Sequence, residues 1–136
     1  MGAHGINTFD EDHAADWLAD LCDQEDPKDF FRECLDLDGI EYLEMMESSG
    51  VIGTCVMIDA VLNGPTPDLP EEAVEWIQEH KKLAVKRFLP KAIAGLDAIL
   101  GDECELHDLW KENKKLYPKW HKMVSELRAR LVAAKG

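Results

Sequence analysis

The sequence predicts an all-α protein, in which six or seven short helices surround a central helix rich in small residues at about 45–62. Apolar residues recur at helical spacing along nearly the whole chain. No stretch alternates with the period of a strand for more than four residues, and glycine or proline breaks separate the helical patterns. A chain of 136 residues is long enough for one domain, which we expect to span residues 1–136.

Two helices are predicted on either side of an acidic segment that ends at Pro27. Asp10 is a suitable N-cap for the first helix, because a short carboxylate can accept hydrogen bonds from free backbone N–H groups. The second helix is predicted at about 28–37 and stops before Gly39. The apolar stripes are Ala14, Trp17, Leu18, Leu21 and Cys22 in the first helix, and Phe30, Phe31, Cys34 and Leu35 in the second.

The segment 40–62 contains the predicted central helix. Ile40, Tyr42 and Leu43 fit either an extended piece or the first turn of a helix. From residue 45 onwards small and apolar residues predominate, with glycines at 50 and 53. Each glycine inside a helix costs about 0.5–1 kcal/mol relative to alanine. We therefore expect a neighbouring helix to approach this one closely.

Prolines divide the second half of the chain. The segment 63–70 contains three prolines and a glycine and cannot continue a helix, and Pro70 is predicted at the first position of the next one. A helical pattern over 82–100 must be kinked or divided at Pro90. Asp102 is predicted to cap a further helix, which bears Leu106, Leu109 and Trp110, and Pro118 to begin the last one, which bears Met123, Val124, Leu127 and Leu131.

Acidic residues are concentrated in the first half. Residues 1–72 contain 19 acidic and two basic residues, a net charge of −17, whereas 73–136 contain 9 acidic and 13 basic residues, a net charge of +4. The whole chain carries −13. Because nucleic acids and anionic membranes are also negative, neither is an expected partner.

Cysteine spacing and hydropathy bear on the expected location. The four cysteines form no paired metal-ligand motif, and each lies within an apolar pattern, which is typical of reduced, buried thiols in a cytoplasmic protein. The start of the chain lacks the basic and apolar regions of a secretory signal. The longest apolar stretch, 51–58, is too short to span a membrane. We therefore expect a cytoplasmic protein.

The densest polar group lies at the start of the first helix. Asp12, Asp16 and Asp20 are spaced i, i+4, i+8 and form one row, with His13 beside it. The row predicts either a solvated helix face or a site that relieves its repulsion, with a basic partner or with a hard cation such as Mg²⁺ or Mn²⁺. His4 could reach the same place.

A second acidic row follows at Glu41, Glu44 and Glu47, spaced i, i+3, i+6, and Asp59 lies further along the central helix. The row resembles half of the Mg²⁺ site of the helical nucleoside-triphosphate pyrophosphohydrolases, but Val56 stands where the other half would need an acid. We expect a buried Asp59 to have a lysine, an arginine or a helix N-terminus as its partner.

Basic and aromatic residues alternate near the C-terminus. Five lysines and Tyr117 lie near Trp120 in the sequence, which makes this tryptophan a candidate for contact with a partner, although core packing is the default for the four tryptophans. The lysines could neutralise the acidic half within the chain or across a dimer. The residues of this strip are Lys111, Lys114, Lys115, Tyr117, Lys119, Trp120 and Lys122.

Several short motifs follow one another along the chain in a characteristic order. They are Met1-Gly2-x-x-Gly5, Phe9-Asp10-x-Asp12, Asp16-Trp17-Leu18, Leu43-Glu44, Glu105-Leu106 and Leu109-Trp110, followed by Trp120 and an apolar last helix. Their order resembles a mainly bacterial family of unknown function, DUF4259. His4 stands where the family has tryptophan, and Glu11 where it has asparagine. The resemblance implies a shared fold and carries no activity.

No catalytic motif is present, and no cofactor is expected. The sequence therefore favours a non-enzymatic interaction domain whose acidic half docks a basic protein, as small acidic immunity proteins do. The partner-binding candidates are Asp12, Asp16, Asp20, Glu41, Glu44, Glu47 and Trp120. One alternative is a Mg²⁺- or Mn²⁺-dependent hydrolase of phosphate esters or nucleotides, with Asp12, His13, Asp16 and Asp20 as metal ligands. Another is a homo-oligomer held by contacts between acidic and basic halves.

Overall fold

Seven α-helices and two 3₁₀ turns make up the regular structure of residues 7–135, the part of the chain that the computed structural model describes. These residues contain no β-strand, and a single bridge pairs Leu43 with Cys104. The all-α prediction is therefore confirmed, although two of the helices are long, with 19 residues each. The helices are α1 (Asp12–Cys22), α2 (Pro27–Cys34), α3 (Met45–Asn63), α4 (Glu71–Glu79), α5 (Leu89–Ile99), α6 (Glu105–Lys111) and α7 (Tyr117–Lys135).

Helix α3 is the centre of the fold, since each of the other six helices contacts it. Its buried residues face every direction around the helix axis, and they include all positions from Ser48 to Cys55. By length and composition α3 could also cross a membrane, with a mean hydropathy of 1.4, but 67% of that window is buried inside the protein. A helix that is mostly buried against the rest of its own chain is typical of a protein core.

Close contacts explain two helical glycines. A Cβ atom on Gly53 of α3 would lie 2.6 Å from a ring carbon of Trp17 in α1, and one on Gly95 of α5 would lie 2.8 Å from Val51 of α3. Only glycine lets the neighbouring side chain lie this close to the helix backbone. Gly50 differs, because a Cβ there would meet its neighbours at 3.6 Å or more. The expected close approach is confirmed at Gly53.

Several predicted helix starts are shifted by one or two residues. Asp10 lies in the 3₁₀ turn Thr8–Asp10, and Glu11 is the N-cap of α1. Cys104, rather than Asp102, is the N-cap of α6, because its backbone lies in the bridge with Leu43. Pro70 precedes α4 as its N-cap, and Pro27, predicted just before α2, is its first residue.

Two open alternatives are resolved by the structure. Residues 40–44 form no helical turn: the chain bends at 41 and 42, and Leu43 pairs in the bridge, where its N–H donates to the Glu103 carbonyl at 2.8 Å and its carbonyl accepts from the Glu105 N–H at 2.8 Å. The pattern over 82–100 is divided, since only a 3₁₀ turn (Lys86–Phe88) precedes α5, in whose first turn Pro90 lies. Proline has no backbone N–H, but the N–H groups in the first turn of a helix have no partner within that helix. Pro90 therefore removes no hydrogen bond at this position.

The four cysteines are free thiols, but they are not all buried as predicted. Cys55 and Cys104 are buried and Cys34 is partly buried, whereas Cys22 is exposed at the last residue of α1. Partial desolvation raises the pKa of Cys22, and the negative charges of Glu72, Asp23, Glu79 and Glu75 raise it further. The thiolate form is therefore disfavoured at this exposed site.

Candidate interaction surface

The predicted carboxylate row lies on the outer side of α1. Asp12, Asp16 and Asp20 are exposed, because the apolar stripe of the helix turns Ala14, Trp17, Leu18 and Leu21 towards α3. The row therefore faces solvent along the length of the helix.

Helix α2 extends this negative region. Trp17 of α1 stacks on Phe30 of α2, with ring centroids 5.6 Å apart, and its Nε1 donates to the Cys34 sulfur at 3.2 Å, so this side chain joins the two helices, each of which packs on α3. Their outer sides and the loop between them form what we term the acidic surface. Its exposed carboxylates are Asp12, Asp16, Asp20, Asp23, Glu25, Asp26, Asp29 and Glu33.

Few cations balance this surface within the chain. In residues 7–135 its one ion pair joins Arg32 to Asp29 on the same helix. Arg130 to Asp59 is the one ion pair that links the basic half to the acidic half in this range, and Asp59 is not part of the acidic surface. No lysine of the C-terminal strip forms an ion pair with the acidic half in this range, so the structure gives the strip no direct pairing for neutralisation within the chain, and neutralisation across a dimer stays a prediction.

His13 does not join the row of aspartates. Its Nδ1 lies 2.8 Å from the Glu11 carboxylate, which also accepts hydrogen bonds from the His13 and Ala14 backbone and, at 2.7 Å, from the buried Ser49 hydroxyl of α3. Partial burial would raise the pKa of Glu11, but the hydrogen bonds from Ser49 and His13 outweigh it and leave the pKa lowered. The group is a helix cap tied to α3.

The second acidic row is divided by the start of α3. Glu41 is exposed in the bend before Leu43, and Glu44 is the N-cap of the helix. The Glu47 carboxylate accepts a hydrogen bond from the Glu44 N–H at 3.1 Å, which is part of a capping box. Glu44 and Glu47 thus have a structural role at this helix end.

Neither row converges on a metal site. Within residues 7–135 no group of three or more His, Cys, Asp or Glu side chains is placed to hold a metal ion. His4 and the Met-Gly-x-x-Gly start lie outside the described residues. The geometry therefore adds no support to the hydrolase alternative.

Trp120 is buried and is not available as a partner contact. It is only 2% exposed and stacks on Trp110, with centroids 5.8 Å apart. Beside it, His107 donates from Nδ1 to the Gly101 carbonyl at 2.8 Å and accepts at Nε2 from the Tyr117 hydroxyl at 2.6 Å. Aromatic packing in the core thus explains the aromatic residues of the strip, while its lysines remain exposed.

The structure also contains an open cleft that the sequence did not reveal. It measures about 250 Å³ and lies between the first 3₁₀ turn, α3, the loop at 64–70 and α7, and we term it the α3–α7 cleft. Its apolar lining is Phe9, Val56, Ala60, Leu69, Met123 and Leu127, and its charged lining is Asp59, Asp68, Glu126 and Arg130. These residues are scattered over 120 positions of the sequence, so no local motif signals them.

The buried member of the charged lining is Asp59, which is 4% exposed. Its carboxylate accepts hydrogen bonds from Arg130 Nε at 3.0 Å and from Asn63 Nδ2 at 2.8 Å. The expectation that a buried Asp59 has a partner is confirmed, and of the three kinds expected the partner is an arginine, Arg130 of α7.

These features define a small all-α domain with a buried central helix and an acidic outer surface. Within this class, the chain belongs to the domain of unknown function family DUF4259, whose family model matches residues 2–123. This match confirms the resemblance carried by the sequence motifs. No curated protein matches the chain, and no solved structure does.

Proposed function

We propose that the chain is a non-enzymatic interaction domain that docks a basic protein on its acidic surface. The main support for this proposal is the acidic surface, whose carboxylates on α1, α2 and the loop between them are exposed and largely unpaired. Repulsion between like charges at i, i+4 destabilises a helix by about 0.2–0.5 kcal/mol per pair. A basic partner would relieve this repulsion, and long-range attraction would accelerate the encounter.

The test compares two variants that remove the same charge from different places. Asp16→Asn/Asp20→Asn alters the acidic surface, and Glu103→Gln/Glu112→Gln alters exposed carboxylates outside it. Full-length tagged chains are used to capture proteins from native lysate at about 0.05 M and about 0.5 M salt, where screening differs strongly. A captured basic protein is then purified, and its affinity for each variant is measured by calorimetry.

We expect a basic protein that binds at low salt and is released at high salt. Asp16→Asn/Asp20→Asn should weaken its binding at least about tenfold, whereas Glu103→Gln/Glu112→Gln should change it less than about threefold. Recovery of no basic protein at either salt concentration would overturn the proposal. An equal loss of affinity in both variants would also overturn it. Capture of only a second copy of the chain would replace it with the homo-oligomer.

A further inference from the structure

The α3–α7 cleft has the chemistry of a receptor for one basic side chain. Phe9, Val56, Leu69 and Met123 provide an apolar wall, and Asp68 and Glu126 are exposed carboxylates in the same lining. A lysine or arginine side chain matches this combination, because its stem is apolar and its end is cationic.

The charge of the lining favours a cation. Arg130 is its one basic residue among those described, and Arg130 Nε is already paired with the buried Asp59. Asp68 and Glu126 form no ion pair with any residue between 7 and 135. The lining is therefore negative overall, within a chain whose net charge is −13.

An aromatic ring and the position of the cleft add to this argument. The Phe9 ring stacks on Trp17 with centroids 6.3 Å apart, which holds the ring in place, and an aromatic face attracts cations. Phe9 belongs to the 3₁₀ turn that leads directly into α1. The cleft consequently adjoins the end of the acidic surface where Asp12 lies.

We infer that the α3–α7 cleft receives a lysine or arginine side chain of a basic protein partner, with the stem against Phe9 and Leu69 and the cationic end at Asp68 and Glu126. This inference rests on the proposed function and adds to it one defined contact. The acidic surface attracts the partner, and the cleft fixes the orientation of the partner.

The experiment uses Nα-acetyl-lysine N-methylamide as the probe and its norleucine analogue as the uncharged control. Each is titrated to about 50 mM into the ¹⁵N-labelled full-length chain at low salt, which covers the millimolar affinities expected of one side chain. We expect the lysine probe to shift the backbone amide signals of Asn7, Thr8, Thr66, Asp68 and Leu69, which line the cleft or lie beside its carboxylates.

Variants then locate the contact. Asp68→Asn/Glu126→Gln should weaken binding of the lysine probe about fivefold, and the equally charged Glu103→Gln/Glu112→Gln should change it less than about twofold. All four residues are exposed, so the variants should keep the wild-type circular dichroism spectrum. Absence of shifts, equal shifts with the norleucine probe, or equal loss in both variants would overturn the inference.

The two proposals can fail separately. Suppose that the lysine probe does not bind, but that a basic protein binds the wild type and binds Asp16→Asn/Asp20→Asn more weakly. The inference about the cleft is then wrong and the proposed function stands. If the lysine probe binds in the cleft but no basic protein is recovered, the proposed function is wrong, and with it the claim that a protein supplies this side chain.

Discussion

Gly53 shows how one residue determines the distance between two helices. The ring of Trp17 lies against the backbone of α3 at this position, and the same ring stacks on Phe9 and Phe30, with centroids 6.3 and 5.6 Å away. A methyl group at position 53 would occupy space that the ring already fills. The ring cannot move aside without disturbing both of its aromatic neighbours.

We therefore expect Gly53→Ala to lower the free energy of unfolding by about 1–3 kcal/mol, the usual cost of overpacking a core. Gly50→Ala is the matched control, because a Cβ there meets only ordinary contacts at 3.6 Å or more. This control should be neutral or should stabilise by up to about 1 kcal/mol, since alanine favours a helix over glycine. Urea unfolding measures both, and equal effects would disprove the role assigned to Trp17.

At the scale of elements, the start of α1 depends on a contact with α3. Glu11 accepts two backbone hydrogen bonds of the first turn and one from Ser49 of α3. The cap therefore stabilises the helix and attaches it to the core at the same time. Asp10 precedes Glu11 by one residue and belongs to the 3₁₀ turn, and its side chain does not cap α1.

We expect Glu11→Ala to cost about 1 kcal/mol at pH 7, the usual cost of losing an N-cap, and Asp10→Ala to change stability by less than about 0.5 kcal/mol. The folded pKa of Glu11 lies below its ordinary value of 4.5, so its contribution is complete above that pH and is lost as pH falls through the folded pKa. The difference between wild type and Glu11→Ala should shrink accordingly in unfolding curves from pH 7 to pH 3. A difference that does not change with pH would contradict the lowered pKa.

The same element shows what the sequence can and cannot predict. The period of the apolar residues placed Trp17 and Leu18 inwards and Asp16 outwards, because the geometry of a helix is local. The choice of Glu11 over Asp10 as cap was not predictable, since it depends on a serine 38 positions away. Likewise, the need of a buried Asp59 for a partner could be derived in advance, whereas its pairing with Arg130 requires the packing of α7 on α3.

For the whole molecule, the two halves share a core but do not neutralise each other. The helices of both halves pack around α3, yet one ion pair in the described part of the chain joins the acidic half to the basic half. The acidic surface therefore repels itself in the folded protein. The sequence predicted the uneven charge, but not that the lysines near Trp120 would lie outside ion-pair distance of the acidic residues on α1 and α2.

Screening by salt should therefore stabilise the whole molecule. We expect the unfolding temperature to rise by about 3–6 °C between about 0.02 M and about 0.5 M sodium chloride, which corresponds to about 1 kcal/mol for a domain of this size. Asp16→Asn/Asp20→Asn should reduce this rise, because it removes mutual repulsion, and Lys119→Gln/Lys122→Gln should increase it, because it makes the net charge more negative. Differential scanning calorimetry measures all three chains. An unfolding temperature that falls with salt would mean that attractive ion pairs outweigh the repulsion, and would remove the physical basis for a surface that needs a basic partner.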